Sequence, residues 1–268
     1  MPNLLKIPSD NLTIVVETFG SGPPIVFAHG LTGNRHVTRK QFTPLADSYT
    51  IVTFDQRGHC DSTPVTDPAL HDAELMAADM AVVMDALGIE RAIVGGESMG
   101  SATTLMFALR WPERVEKLLL TAPAFGDEPN LAAEDIRAMG EAIEEVGIDD
   151  FLLDAAINQR DELGWPPEVI QAVAEMQGSH ETHSLATACK AVIDWTLFDN
   201  LDVLSALTMP VCIIAWDEDN LHPLSLAQRM VDALPDAHLE MLPSVVDLFL
   251  TPGIIGEIYG RFLDSVAY

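Results

Sequence analysis

Short, uninterrupted apolar runs recur along the chain, and stretches whose apolar residues return every three or four positions separate them. Runs of the first kind read as buried strands and those of the second as amphipathic helices. The pattern predicts strands at 13–19, 25–28, 50–54, 92–94, 117–121, 211–215 and 238–242. It predicts helices at 74–87, 102–109, 224–234 and 254–263. In 74–87 the apolar positions are Leu75, Met76, Met80, Val83, Met84 and Leu87, with Gly88 as the stop signal. Strands alternating with helices imply an α/β fold with a mostly parallel, doubly wound sheet and right-handed crossovers. Alternation lapses between 127 and 200, where the chain is helical and acidic without strand signals. That stretch is expected to form a helical cap inserted into a core made of 1–126 and 201–268.

Composition narrows the possible partners. The 268 residues are 48% hydrophobic, enough for a large core. Acidic residues number 41 against 14 basic ones, a formal net charge of -27. Such a surface repels phosphates, so neither nucleic acid nor an anionic membrane is expected as a partner; a small-molecule substrate is, with the chain a monomer or homodimer. The N-terminal stretch beginning Met1-Pro2-Asn3 has no long apolar region, and no run approaches the ~20 residues needed to span a bilayer. Cys60, Cys189 and Cys212 are odd in number and lack metal-ligand spacing. They read as reduced thiols of a cytoplasmic protein, with no metal or other cofactor expected.

The most informative stretch is Gly96-Glu97-Ser98-Met99-Gly100, a G-x-S-x-G pentapeptide between a strand and a helix. Its glycines allow a sharp turn and close strand–helix packing, which leaves a serine exposed at the apex.

With its neighbours this pentapeptide resembles the α/β-hydrolase fold superfamily. Four marks occur in order: His29-Gly30, the segment from Asp55 to Ser62 (Asp-Gln-Arg-Gly-His-Cys-Asp-Ser), the Ser98 turn, and the late segment from Ala215 to Pro223. The resemblance implies an eight-stranded sheet, with Ser98 as nucleophile and the backbone N–H groups of Leu31 and Met99 as oxyanion hole. It implies Asp219 as the catalytic acid, with Asp217 as the nearby alternative. The family histidine is expected after the last strand, where Leu242-Pro243-Ser244-Val245-Val246-Asp247 has no histidine and no glycine. Asp247 stands in its place.

A carboxylate with a pKa near 4 is a weak base toward a serine hydroxyl. Two facing carboxylates, Asp219 and Asp247, would drive one pKa upward and suit proton transfer rather than acylation. The sequence therefore predicts an esterase-like enzyme turned to non-hydrolytic chemistry, such as lyase-type elimination of a carboxylate, cyclisation or decarboxylation. One alternative is a conventional esterase or lactonase in which His222 or a cap histidine completes the triad. Another is a disabled ligand-binding protein. His29, Glu97, Trp195 and His222 are candidate substrate contacts. His29 and His59 also read as loop-packing residues, His222 as a helix N-terminal residue, and His36 and His71 as surface residues. His180 and His183 read as either a solvated cap face or pocket groups. Arg57 reads as a structural ion-pair partner.

Overall fold

A computed structural model describes residues 3–266. Eight strands form one sheet in the order β1-β2-β4-β3-β5-β6-β7-β8. They are β1 (Asn3–Ser9), β2 (Leu12–Gly20), β3 (Pro24–Ala28), β4 (Thr50–Asp55), β5 (Ala92–Glu97), β6 (Val115–Thr121), β7 (Val211–Ala215) and β8 (Ala237–Met241). β1 pairs antiparallel with β2 and β2 antiparallel with β4, whereas β3 through β8 run parallel. Because the parallel strands are covered on both faces, β3, β7 and β5 up to Gly96 are continuous runs without a polar side chain rather than alternating, and they lie in the core.

The flanking helices are α1 (Arg35–Phe42), α2 (Ala73–Ala86), α3 (Met99–Arg110), α8 (Leu224–Ala233) and α10 (Ile254–Ser265). Four more lie between β6 and β7: α4 (Ala133–Val146), α5 (Ile148–Asp161), α6 (Pro167–Gln177) and α7 (Thr182–Val192). These four occupy the stretch where the sequence loses its alternation. No described helix is long and apolar enough to cross a membrane.

Helix α1 has too polar a sequence, Arg-His-Val-Thr-Arg-Lys-Gln-Phe, to be read from apolar spacing. Its start is fixed by Asn34, whose side chain accepts from the His36 and Val37 N–H groups at 3.0 Å each. Buried ion pairs tie the loops beneath the site. Asp55 receives the Arg35 guanidinium and backbone N–H, and Arg57 Nε donates to Asp79 at 2.7 Å. Arg57 thus has the structural pairing expected of it.

The four-helix insertion is stitched to the core by polar contacts. Ser184 Oγ of α7 donates to Gly58 O at 2.6 Å and accepts from Val65 N–H at 2.8 Å. Asn34 Nδ2 donates to Ser179 Oγ at 2.9 Å. His180 Nε2 lies 3.0 Å from Gly33 O, so this histidine is buried at the seam and not solvated. His71, expected at the surface, is also buried, because Val65 O and the rings around it enclose it. His36 and His183 are exposed or partly so.

Candidate active site

Ser98 occupies the turn between β5 and α3, with φ 54° and ψ -113°. A serine at positive φ is strained, and the surrounding chain holds it there. The two flanking glycines are sterically required. A Cβ on Gly96 would meet Gly100 O at 2.0 Å, and one on Gly100 would meet Ala28 O at 2.1 Å. Gly30 approaches from the end of β3 so closely that a Cβ there would sit 3.3 Å from Ser98 Cβ.

The nearest base to Ser98 is His222, with Nε2 2.9 Å from Ser98 Oγ. Its other ring nitrogen, Nδ1, lies 2.8 Å from Asp219 Oδ2. Both residues come from the loop after β7, three positions apart. The loop folds back on Asp219, whose Oδ1 accepts from the Leu221 and His222 N–H groups at 2.8 and 3.1 Å. Trp216 Nε1 donates to Oδ2 at 2.7 Å, and its indole stands edge-on to the His222 ring at 5.4 Å. Burial pushes the Asp219 pKa up, but the bonds from His222 and Trp216 outweigh it and hold the carboxyl well below the usual carboxylate range. Asp219 is thus a fixed anion that orients the imidazole. Asp217, the neighbouring alternative, is exposed.

Asp247 is not part of this constellation. Its carboxylate accepts from Ser244 Oγ at 2.9 Å, at the start of the short helix α9 (Asp247–Leu250). Without glycine, the stretch after β8 closes into a turn and a helix, and Val245, Leu248 and Phe249 go to the cavity wall in place of Asp247. The two facing carboxylates expected from the sequence do not form. The elimination chemistry inferred from them loses its premise.

Ser98 opens into a cavity of about 210 Å³ between the sheet, α1, α9 and the inserted helices. Its walls are mostly apolar, with Ile136, Met139 and Met176 on the side of the insertion and Trp216 beside His222. Among the described residues no lysine or arginine lines it. Leu31 lines the cavity, and among the described residues its N–H makes no loop or turn hydrogen bond to the chain. Met99 is the first residue of α3, so its N–H has no carbonyl one turn back to donate to.

The other candidate contacts divide. His29 borders the cavity, yet Nδ1 lies 2.7 Å from Gly30 O and Nε2 accepts from Gln56 N–H at 2.9 Å. Burial lowers its pKa to about 4 despite Asp55, so it is a neutral ring with both nitrogens occupied. Trp195 does not reach the cavity. Its Nε1 donates to His71 O at 3.2 Å and its ring packs on Phe125, because the bend after α7 turns it toward the core. Glu97 lines the cavity beside Gln41, a residue sequence reasoning did not single out. His222, expected at most to contact substrate in the leading sequence reading, instead contacts Ser98.

Away from the cavity, His36, Cys60 and Asp61 bring one nitrogen, one sulfur and one oxygen within 4.8 Å of one another. Arg35 Nη2 already donates to Asp61 there at 2.6 Å. Burial raises the Cys60 thiol pKa to about 11 and those of Cys189 and Cys212 to about 12, so all three remain protonated thiols near neutrality.

Comparison with known proteins agrees with this architecture. The 3-oxoadipate enol-lactonase 2 of Acinetobacter baylyi is 24% identical over 247 residues, covering 87% of this chain and 86% of that protein. A thermophilic esterase from Thermogutta terrifontis superposes with a TM-score of 0.82 at 23% identity, over 99% of this chain and 100% of that one. The enol-lactonase from Burkholderia xenovorans LB400 gives a TM-score of 0.82 at 19% identity, over 97% and 100% of the two chains. At such identities the structures show a common fold. The family model for the alpha/beta hydrolase fold matches residues 23–244, and the chain belongs to that family.

Proposed function

We propose that this protein is a serine hydrolase that cleaves an ester or lactone of a small molecule, with Ser98 as nucleophile, His222 as general base and Asp219 as its orienting carboxylate. One observation carries the reading: His222 bridges the other two, 2.9 Å from Ser98 Oγ and 2.8 Å from Asp219 Oδ2. These are the contacts that let an imidazole take a hydroxyl proton while a partly buried anion fixes its tautomer. The names of the relatives, an esterase and two enol-lactonases, support the same bond type.

In this mechanism Ser98 Oγ attacks the acyl carbon as its proton passes to His222 Nε2. The negative charge on the former carbonyl oxygen is received by the Leu31 and Met99 N–H groups. Collapse breaks the bond to the alkoxy oxygen, which takes the proton from His222 and leaves as the alcohol; in a lactone it stays tethered to the acyl group. Water, deprotonated by His222, then attacks the acyl-enzyme and returns Ser98. The low-lying Asp219 remains ionised throughout and stabilises the transient imidazolium.

The test is a kinetic comparison on a short-chain p-nitrophenyl ester. Ser98→Ala and His222→Ala are each expected to lower kcat by about 10⁴ or more. Undiminished turnover in either variant overturns the reading.

A further inference from the structure

Beside the proposed nucleophile lies a polar pair that the hydrolytic steps do not use. Glu97 leaves β5 on the face covered by α1 and α10, the same face as Gly95, whose added Cβ would touch Phe27. Gln41 Nε2, from α1, donates to Glu97 Oε2 at 2.8 Å. Among the described residues no hydrogen bond reaches the second carboxyl oxygen. The other end of the amide, Gln41 Oε1, is buried without a partner. Glu97 is half-buried and lines the cavity. Burial raises its pKa, an effect that Gln41 and the proximity of His222 only partly offset.

A half-buried carboxyl next to the reacting serine, with one oxygen that no described residue bonds, requires a hydrogen bond from the substrate that displaces solvent from this mostly apolar cavity. The class of group that would do so is restricted. A substrate carboxylate meets no lysine or arginine in this cavity and would face Glu97 itself. An alkyl group leaves the carboxyl unpaired. An ammonium would have to be desolvated against a single carboxyl whose other oxygen is taken and whose burial favours the uncharged form. A hydroxyl both donates and accepts, so it satisfies Glu97 in either protonation state.

We propose that Glu97, held by Gln41, is the subsite for a hydroxyl group on the acyl portion of the substrate, so that the substrate is an uncharged hydroxyacyl ester or lactone. The proposal rests on the hydrolase reading for its position relative to the scissile bond. Gln41 acts as a positioning residue: its amide fixes which carboxyl oxygen faces the cavity.

The experiment compares kcat/KM for p-nitrophenyl butanoate, 3-hydroxybutanoate and 3-aminobutanoate in the wild type, Glu97→Gln and Glu97→Leu. The wild type is expected to prefer the hydroxy ester over butanoate by about ten-fold, the worth of one good hydrogen bond. Glu97→Gln keeps most of this preference, since an amide also accepts and donates, while Glu97→Leu brings the ratio to one or below. A wild-type ratio of one or less, an unchanged ratio in Glu97→Leu, or preference for the amino ester overturns the proposal. Calorimetric binding of methyl 3-hydroxybutanoate and methyl butanoate to Ser98→Ala supplies a readout free of turnover. There the hydroxy ester should bind about ten-fold tighter, a margin that vanishes in Ser98→Ala/Glu97→Leu. Equal binding of the two esters overturns the subsite. Full turnover by Ser98→Ala would instead overturn the hydrolase reading and leave the binding ratio to decide the subsite.

Discussion

His222 Nδ1 and Asp219 Oδ2 lie 2.8 Å apart within one short loop, and His222 reaches a serine 124 residues earlier in the chain. The base and the group that orients it are therefore set by one local turn. Asp219→Asn should leave that turn folded but present the wrong hydrogen-bonding partner to the imidazole. A loss of about 10³–10⁴ in kcat with little change in KM is expected. Asp247→Asn, in contrast, should stay within about two-fold of wild-type kcat/KM, since among the described residues the Asp247 side chain bonds Ser244 and no group of the site. Steady-state kinetics on the two variants in parallel separates this assignment from one that puts Asp247 at the serine.

Trp216 holds the same carboxylate from the other side. Trp216→Phe keeps the aromatic wall but removes the donor 2.7 Å from Asp219 Oδ2. The loss of one charge-assisted bond, about 1.5–3 kcal/mol, should weaken the pull on His222 and lower kcat by roughly ten-fold or more. A Trp216→Phe enzyme with unaltered kcat would show that the indole serves packing alone.

The turn that carries Ser98 tolerates no side chain at its flanks. Gly96→Ala would place a methyl 2.0 Å from Gly100 O, a backbone atom that cannot move without parting β5 from α3. Destabilisation above about 4 kcal/mol is expected, read as a collapse of the denaturant midpoint or loss of folded protein. A midpoint close to wild type would contradict the packing described for this turn.

Ser184 offers a milder test of the seam between the inserted helices and the sheet loops. Its hydroxyl satisfies both Gly58 O and Val65 N–H in a buried setting. Ser184→Ala leaves both without that partner and should cost about 1–3 kcal/mol by chemical denaturation.

Four buried histidines bear on acid stability. His59 packs against His29, His180 and His71 with ring centroids 5.2, 5.5 and 6.2 Å away. Burial lowers the pKa of all four, with His29 at about 4. Asp55 pulls His29 and His180 upward and Asp67 pulls His71 upward, while Arg35 and Arg57 oppose them at His29 and His71 respectively. The folded state thus holds these rings neutral, whereas the unfolded chain protonates them below about 6.5. Stability is therefore present above that pH and lost as pH falls toward 4, by about 3 kcal/mol through His29 alone. Acid also relieves the self-repulsion of a chain carrying -27, so the informative measurement is a difference. His59→Phe should lose less stability than wild type between about pH 7 and about pH 5.5, where the histidines but few carboxylates titrate. Equal losses would remove the cluster as the cause.

The central strands were legible because parallel strands covered on both faces read as continuous apolar runs, as at Ile25–Ala28 and Val211–Ala215, whereas the antiparallel edge strand β1 (Asn3–Ser9), mostly exposed, was not read from the pattern. The turn at Ser98 was legible because its steric demand forces glycine at two fixed positions. Helix α1 was not, since a side-chain cap and tertiary packing specify it rather than amphipathic spacing. The role of His222 was legible only as one alternative among several. A loop's hydrogen bonds to its own carboxylate decide where the imidazole points, and such a fold-back leaves no periodic trace. The misreading of His71 and His180 has a related cause: each is buried by segments distant in sequence.

Every group proposed to act on the bond, from Leu31 to His222, is in place before the chain reaches α8. The described residues beyond His222 add the outermost strand β8, the flanking helices α8 and α10, and the short helix α9 with the turn before it, and none of them is given a proton-transfer role. Reshaping Val245, Leu248 or Phe249 there changes the cavity wall and leaves the contacts among Ser98, His222 and Asp219 untouched. That part of the wall can be altered apart from the proton relay, whereas Glu97 and Gln41 tie the remaining selectivity to the strand and helix beside the nucleophile.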